Sequence, residues 1–311
     1  MKIVYFGTPE FSADFLRALI ADAEIDVVGV VTQTDELQGR KKVLTPPPTK
    51  AVAGEHNVPV FQPTKLKDAT FFDALINLNA DLFVVIAYGR IIPQAILDIP
   101  KLGCVNVHPS LLPKLRGPSP IISAIVNGEK ETGVTIMQID ADMDHGPILA
   151  QTSFSIAPNE TSASLTQKVV VHGVPLLINT LKRFFAGTVT PQEQNHPDAT
   201  FCKMLSREDG HIDWSQSAEA IDAKIRAYTP WPGTFAVWKH DGKELTLKIL
   251  SARIDTEHLD PGVVQMLTDR IMIGTATTAL EILELQPAGG KRMSANAFLQ
   301  GHMDIDGATL S

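Results

Sequence analysis

The sequence predicts a mixed α/β fold: a mostly parallel sheet with helices on both faces, followed by a smaller β-barrel. Continuous apolar runs, the strongest at residues 82–87, alternate with helical spacing through the first half of the chain. Strands that are apolar throughout are typical of parallel sheets buried on both faces. Roughly the last hundred residues instead carry short segments in which apolar and polar residues alternate. The length of 311 residues leaves room for two domains.

The chain opens with a predicted strand at residues 3–6 and a turn at Gly7-Thr8-Pro9. Thr8 is placed to cap the following helix, and Pro9 to occupy its first position. Apolar residues then repeat at helical spacing, at Phe11, Phe15, Leu16 and Leu19. Further strands are predicted at residues 27–31, 58–61, 82–87, 105–108 and 133–137, the last after a short helix.

A polar insert at residues 32–49 interrupts this alternation and ends in three prolines. A loop of this length in a folded domain indicates either a binding role or a plain solvated segment. Residues 165–185 predict a long helix with a flaw at Gly173 and Pro175. Residues 188–205 lack periodicity and contain prolines, which predicts a linker. The expected division is therefore a first domain at 1–187, a linker at 188–205 and a second domain at 206–311.

The second domain begins with a helix predicted at residues 218–227. Five short strands are then predicted, at residues 235–238, 245–249, 262–266, 271–273 and 280–282. Asp241-Gly242 is a hairpin turn signal between the first two. Short alternating strands of this kind indicate a small barrel or sandwich, and the oligonucleotide-binding barrel is one such form.

Composition excludes several classes of protein. The two cysteines, Cys104 and Cys202, argue against a disulfide scaffold and favour a reducing cytoplasm. The start of the chain lacks the features of a signal peptide, and no apolar run suggests a membrane span. The net charge of −8 has the wrong sign for non-specific nucleic-acid binding, to DNA included. A local patch at residues 40–42, Arg-Lys-Lys, can still grip a structured RNA, although a solvated charge run is the ordinary alternative.

Polar side chains end the strand at residues 105–108, where Asn106 and His108 precede a loop stiffened by prolines. An acidic turn that contains Asp144 follows and can close the site. Asparagine offers N–H donors, histidine donates when protonated, and aspartate supports that cation or accepts a proton. This set suits acyl transfer, because the oxyanion of a tetrahedral intermediate needs donors already in place. No covalent nucleophile is needed if the acceptor is an amine.

Other interpretations of these residues stay open at this point. An Asn-x-His pair at a strand end is often purely structural. Ser110 lacks the Gly-x-Ser-x-Gly elbow of a nucleophile and is expected to hydrogen-bond within its loop. A metal site would have to use side chains whose spacing matches no known ligand pattern, namely His108, Asp142, Asp144 and His145. The turn at residues 7–9 lacks the glycine pattern of a dinucleotide site.

Six segments of the chain resemble the formyltetrahydrofolate-dependent formyltransferases, and the resemblance runs nearly end to end. The segments shared by that wider family are residues 6–11, 87–93, 106–117 and 131–137. Two further segments, residues 228–233 (YTPWPG) and 285–293 (LQPAGGKRM), narrow the resemblance to the methionyl-tRNA formyltransferases.

The resemblance implies a Rossmann-like catalytic domain and a C-terminal barrel similar to an OB fold. It implies transfer of the formyl group of 10-formyltetrahydrofolate to the amino group of methionine on initiator tRNA, without a metal. The family's catalytic residues fall on Asn106, His108 and Asp144. Its folate site, much of it backbone, falls on Ile86, Tyr88, Gly89, Arg90, Ser110, Leu111, Leu112, Pro113, Gln138 and Asp140. Its tRNA contacts fall on Arg40, Lys41 and Lys42.

The chain departs from the family pattern at two places. Residues 34–42 read TDELQGRKK, where the family commonly has one more arginine and one more glycine, which leaves the RNA contacts of this loop open. His145 stands where threonine is frequent, and it either adds a proton donor or fills space. The rival functions are formyl transfer to a sugar-nucleotide amine, hydrolysis of formyltetrahydrofolate, and non-catalytic binding of folate or RNA.

Overall fold

Strands and helices alternate through the first half of the computed structural model, which describes residues 1–39, 42–240 and 242–311. The strands there are β1 (Lys2–Gly7), β2 (Asp26–Val31), β3 (Glu36–Gln38), β4 (Val43–Thr45), β5 (Val60–Phe61), β6 (Leu82–Ile86), β7 (Cys104–His108), β8 (Glu131–Gln138) and β9 (Ile148–Ser155). The helices are α1 (Glu10–Ala21), α2 (Pro48–Glu55), α3 (Ala69–Asn77), α4 (Gln94–Leu97), α5 (Pro120–Val126) and α6 (Ser162–Phe185).

The chain divides into two units. The first comprises Met1–Gly117, Glu131–Phe154 and Thr166–Phe201. The second comprises Pro118–Lys130, Ser155–Leu165 and Cys202–Ser311. The division at 1–187, 188–205 and 206–311 stays a prediction of the sequence.

The first unit is built on a seven-stranded sheet in the order β5-β2-β1-β6-β7-β8-β9. β1 lies parallel to β2 and β6, and β6 lies parallel to β7. β8 runs antiparallel to β7 and pairs Thr135 with His108. Every residue of β6 is buried, as its continuous apolar sequence predicts. The predicted α/β class with a mostly parallel sheet is confirmed, and the carboxyl ends of such strands are where open sheets bind ligands.

Hydrogen bonds attach α1 to the centre of this sheet. The Tyr5 hydroxyl donates to the carbonyl of Ser12 at 2.7 Å, and the Ser12 hydroxyl donates to the carbonyl of Ile86 at 2.8 Å. Burial raises the pKa of Tyr5 well above its usual value, so the phenol stays a neutral donor. β1, β6 and α1 therefore form one rigid base beneath the loops that follow the two strands.

α1 begins differently from the prediction. The helix starts at Glu10, Pro9 is its N-cap, and no side chain caps it. The Thr8 hydroxyl, predicted to be the cap, donates instead to the carbonyl of Tyr88 at 3.1 Å. The single hydroxyl hydrogen of Thr8 therefore binds the segment that follows β6, the neighbouring strand of the sheet.

β9 and the hairpin of β3 and β4 are absent from the predicted strands. β9 mixes apolar residues with Gln, Thr and Ser and is partly exposed, so it lacks a continuous apolar run. β3 and β4 each contain three residues, and α2 follows them at the end of the insert. The insert thus contributes two short paired strands and the start of a helix outside the seven-stranded sheet. Arg40 and Lys41 lie outside the described residues.

α6 continues through the two residues at which a flaw is predicted. Pro175 lies inside the helix, and Gly173 permits close packing on α1. A Cβ at Gly173 would lie 2.7 Å from the ring of Phe15, closer than Cβ contacts occur. Among the described residues, no helix, α6 included, has the length and apolarity needed to cross a membrane.

The second unit contains an antiparallel sheet in the order β10-β11-β14-β13-β12, curled into a half-barrel. Its later elements are α7 (Ala218–Tyr228), β10 (Thr234–His240), β11 (Lys243–Ile254), β12 (Val264–Leu267), β13 (Arg270–Gly274), β14 (Ala279–Pro287), β15 (Met293–Ser294) and α8 (Ala295–Leu299). Two tryptophans, Trp214 and Trp238, are buried in its core with Ile225 and Phe298. The predicted small β-domain is confirmed, whereas Asp241 of the predicted hairpin turn is outside the described residues.

Gly133 tests the packing between β8 and the loop after β7. A Cβ there would lie 2.2 Å from the carbonyl oxygen of Thr152 and 2.4 Å from the Leu111 side chain. We expect Gly133→Ala to lower the free energy of unfolding by about 1–3 kcal/mol, because backbone must move.

The matched control is Gly54→Ala in α2, where a Cβ meets nothing within 4 Å. This change should leave stability unchanged or raise it by about 0.5–1 kcal/mol, since alanine favours a helix over glycine. Denaturant unfolding of both variants measures the difference, and equal midpoints would contradict the close packing at Gly133.

Candidate active site

The carboxyl ends of β6 and β7 lie side by side in the first unit. Val85 of β6 pairs with Asn106 of β7 in parallel register. Asn106 and His108 are two residues apart on one strand, so their side chains leave the same face of the sheet. The sequence-predicted amide and imidazole are therefore presented together where the two strands end.

The Asp144 carboxylate lies next to both side chains. Its Oδ1 is 3.5 Å from Asn106 Nδ2 and 3.6 Å from His108 Nδ1. Its Oδ2 accepts the backbone N–H of Gly117 at 2.8 Å. The three residues predicted to be catalytic are thus brought to one place, with the carboxylate held by the loop after β7.

The tautomer of His108 follows from its partners. The ring is 3% exposed, and Nε2 lies 2.9 Å from the carbonyl oxygen of Leu115. A carbonyl can only accept, so Nε2 carries a hydrogen. Nδ1 faces Asp144, and protonation there produces an imidazolium whose second N–H points towards the carboxylate. The ring is therefore placed to gain or give a proton at Nδ1 while Nε2 stays bonded.

Asp144 has an unusual backbone conformation. Its φ is 52°, in the left-handed region that non-glycine residues seldom adopt. Two residues later, a Cβ at Gly146 would lie 2.2 Å from the carbonyl oxygen of Gln138. The Gln194 side chain donates to the carbonyls of Asp144 and Gly146 at 2.9 and 2.8 Å. The turn is thus held by its surroundings in a conformation costing about 1–3 kcal/mol.

The loop of residues 110–113 is held by its own polar groups. The Ser110 hydroxyl donates to the carbonyl of Lys114 at 2.6 Å, which agrees with its predicted role as a loop hydrogen-bonder. The Thr135 hydroxyl donates to the Ser110 carbonyl at 2.6 Å and accepts the Leu112 N–H at 3.2 Å. Gln151 donates to the carbonyl of Leu112 at 2.9 Å. Leu112–Pro113 is a cis peptide. These bonds fix the path of the loop on β8 and β9.

The segment after β6 offers mainly backbone. The side chains of Ile86 and Tyr88 are buried, and the Tyr88 ring packs edge-on against Phe6 at 5.5 Å. Burial raises the pKa of Tyr88, and Arg90 partly opposes this shift. Gly89 is exposed with a φ of 82°, and Arg90 donates to the carbonyl of Pro63 at 2.7 Å. Any ligand contact at this segment would therefore use peptide groups rather than the Ile86 or Tyr88 side chains.

The acidic turn carries a second polar pair. His145 Nδ1 donates to Asp140 Oδ2 at 2.6 Å, and the His145 ring stacks on that of His196 at 3.9 Å. The imidazole thus fills space against another ring and also binds a carboxylate. Gln138 pairs by its backbone with Pro147 at 2.9 Å, which closes the turn at its base.

Covalent catalysis by the nearby cysteine is disfavoured. Cys104 begins β7 and is 3% exposed. Burial raises the pKa of its thiol to about 12, so the reactive thiolate is scarce at neutral pH. Among the described residues, no group of three or more His, Cys, Asp or Glu side chains is placed to hold a metal ion.

The insert presents one of its three predicted cations within the described residues. Lys42 is exposed, with a φ of 49°, and is the turn residue immediately before β4. Leu37 and Leu44 are cross-strand partners and are both more than half exposed. At the base of the insert, Lys50 Nζ binds Asp35 at 2.7 Å. The base of the insert is therefore anchored by an ion pair, while Leu37, Lys42 and Leu44 are exposed.

Several groups that hold the site in place were not singled out from the sequence. They are backbone atoms, ordinary polar residues of strands, or a side chain in an irregular segment. The Leu115 carbonyl and the Gly117 N–H carry no side-chain signal. Thr135 and Gln151 lie on strands as ordinary polar residues. Gln194 falls in a stretch without periodicity, where a buried amide cannot be told from an exposed one.

Two family models and many known proteins match this chain. Residues 1–181 match the model of the formyl transferase family, and residues 204–303 match that of the formyl transferase C-terminal domain. The methionyl-tRNA formyltransferase of Chloroflexus aurantiacus is 44% identical over 308 residues, covering 98% of each chain. That of Geobacter metallireducens is 42% identical over 302 residues, covering 97% of this chain and 96% of its own.

A solved structure shares the fold at lower identity. The crystal structure of HypX from Aquifex aeolicus in complex with tetrahydrofolic acid aligns with a TM-score of 0.65 at 20% identity. The alignment covers 97% of this chain and 47% of that one. Since the family model matches more than half of the residues and the relatives match nearly all of them, the chain belongs to the formyl transferase family.

Proposed function

We propose that this protein transfers the formyl group of 10-formyltetrahydrofolate to the amino group of methionine on initiator tRNA, in the cytoplasm, to prepare it for translation initiation. Relatives more than 40% identical over almost the whole chain are named for this activity. The structural observation that carries the proposal is the approach of Asn106 and His108 to one oxygen of Asp144. These groups are the donors and the base that acyl transfer to an amine requires.

The reaction proceeds by direct attack of the neutral methionyl amine on the formyl carbon. The carbonyl electron pair moves onto the formyl oxygen, and Asn106 Nδ2 and protonated His108 donate hydrogen bonds to this oxyanion. Asp144 stabilises the imidazolium and takes the proton that the amine loses. As the oxyanion collapses, the bond from the formyl carbon to N10 of the folate breaks, and N10 takes up the proton that Asp144 removed from the amine. Protons lost and gained balance over the cycle.

Folate and tRNA are expected at different parts of the first unit. The folate would lie along residues 86–90 and 138–144, contacting peptide groups and the loop of residues 110–113. The tRNA would meet the insert, where Lys42 supplies a cation for phosphate. Arg40 and Lys41 are proposed to add to this charge on the evidence of the sequence alone.

Purified protein supplied with 10-formyltetrahydrofolate and methionyl initiator tRNA tests the function directly. Formylmethionyl-tRNA should form, and little free formate should be released. Elongator methionyl-tRNA and an amino-sugar nucleotide serve as competing acceptors. Release of formate without transfer would indicate a hydrolase. Preferential formylation of the amino-sugar nucleotide would indicate a sugar formyltransferase. Binding of folate or tRNA without turnover would indicate a non-catalytic protein.

Asp144→Asn should lower kcat about 100- to 10,000-fold, the usual contribution of a positioned group that accepts a proton in the transition state. KM for both substrates should change little, because the amide keeps the size of the carboxylate. Steady-state kinetics with varied tRNA and folate separate the two parameters.

The control for this variant is Asp98→Asn, which removes the same charge from an exposed position after α4. It should behave as the parent protein does. Near-native turnover of Asp144→Asn would exclude the proposed role of the carboxylate.

Lys42→Glu should raise KM for tRNA and leave KM for folate unchanged. A phosphate contact contributes about 0.9 to the slope of log affinity against log salt, so the slope should flatten by about 1. This slope is measured from KM for tRNA at a series of salt concentrations, from low to moderate. Lys101→Glu, an equal charge change at an exposed turn, is the control, and the same loss in both variants would assign the effect to net charge alone.

A further inference from the structure

Residues 192–201, here named the strap, bond to both loops that carry the candidate active site. At its start, Gln192 and Ile148 exchange backbone hydrogen bonds of 2.8 and 2.7 Å. At its end, the carbonyl of Thr200 accepts the N–H of Arg116 at 2.9 Å. The strap is therefore bonded to the first residue of β9 at one end and to the loop after β7 at the other. Its sequence alone predicts a linker.

Gln194 is the buried centre of the strap, with 4% exposure. Its Nε2 donates to the carbonyls of Asp144 and Gly146 at 2.9 and 2.8 Å. Its Oε1 accepts Nε and Nη2 of Arg116 at 3.2 and 2.7 Å. A primary amide has two donor hydrogens and two acceptor lone pairs, and here all four are used. No other uncharged side chain of this size supplies both two donor hydrogens and two acceptor lone pairs.

The bonds of Gln194 act on the peptide groups that aim Asp144. They fix the carbonyls of the residue with a φ of 52° and of the residue two positions later. Without them, the turn can relax towards a common backbone conformation, since the left-handed region is disfavoured for aspartate. A rotation there would swing the carboxylate away from Asn106 and His108.

Arg116 connects the same amide to the partner of His108. It follows Leu115, whose carbonyl accepts from His108 Nε2 and whose N–H donates to Thr200 Oγ1 at 2.9 Å. The Arg116 guanidinium is buried and also donates to His196 Nδ1 at 2.9 Å. The buried pair of Arg116 and Gln194 therefore contacts the backbone on both sides of the site. Gln194 binds the carbonyl of Asp144, and Arg116 follows the residue whose carbonyl binds His108.

We infer that Gln194 is a positioning residue for the transfer reaction: its amide holds the Asp144 carboxylate in register with His108 and Asn106. The inference rests on the proposed function for its kinetic consequence. Its structural consequence, the orientation of Asp144, does not depend on which formyl acceptor the protein uses.

Two substitutions test the amide. Gln194→Met keeps approximate volume and removes every hydrogen bond, whereas Gln194→Glu keeps the shape but turns oxygens towards two carbonyls. Both should lower kcat about 10- to 100-fold, since misplacement by about 1 Å can cost 100-fold. KM for tRNA and folate should change by less than about 3-fold if binding surfaces are intact. Glu193→Met, an exposed neighbour in the strap, should retain parental kinetics.

A double-mutant cycle separates positioning from general damage. If Gln194 acts through Asp144, then adding Gln194→Met to Asp144→Asn should cost nothing further in kcat. Losses that multiply would overturn the inference, as would parental turnover in Gln194→Met. Assays are run well below the thermal midpoint of each variant, so that unfolding does not contribute.

A crystal structure of Gln194→Met tests the inference without any activity. The Asp144 carboxylate should be displaced from Asn106 and His108, and an unmoved carboxylate would refute the positioning role. An inactive parent protein would count against the proposed function alone, because this structural comparison still decides the role of Gln194.

Discussion

The arrangement of the candidate active site depends on where the carboxylate of Asp144 is held. Asp144 is only 15% exposed, and a carboxylate taken from water needs donors around it. The Gly117 N–H satisfies one oxygen at 2.8 Å, while the other oxygen faces Asn106 and His108. The donors therefore come from the loop after β7 and from β7 itself, and the turn that bears Asp144 must approach both.

The sheet makes this approach feasible by reversing direction at β8. β7 delivers Asn106 and His108 to the carboxyl edge, and β8 runs back antiparallel beside it. The chain leaves β8 at residue 138, turns through the acidic segment and returns along β9, the last strand of the sheet. The turn thus begins near Asn106 because Met137 is its cross-strand partner. Topology brings the carboxylate near, and side-chain bonds determine its final direction.

Much of the fold was predictable because its signals are local. Buried parallel strands such as β6 are continuous apolar runs, and α7 carries apolar residues at helical spacing. Asn106, His108 and Asp144 could be singled out from the sequence because a proline-rich loop and an acidic turn follow the strand that carries the first two, and the formyltransferase motifs imply their catalytic role. β9 was not predictable, since half-exposed strands with Gln and Thr resemble loops. The role of Gln194 could not be predicted, because its burial depends on contacts with residues far along the chain and no periodic pattern surrounds it.

The distances at Asp144 bear on the proposed mechanism, in which Asn106 and His108 serve both the carboxylate and a reacting oxygen. Separations of 3.5 and 3.6 Å are longer than the 2.7–3.2 Å of ordinary N–H···O bonds. The N–H groups of Asn106 and of protonated His108 are therefore not saturated by Asp144. A developing oxyanion binds such donors more tightly than a neutral carbonyl does, because its charge is greater. In the proposed mechanism, the long contacts would favour the transition state: a tighter carboxylate would occupy the donors that the oxyanion needs, and a more distant one would leave the imidazolium unsupported.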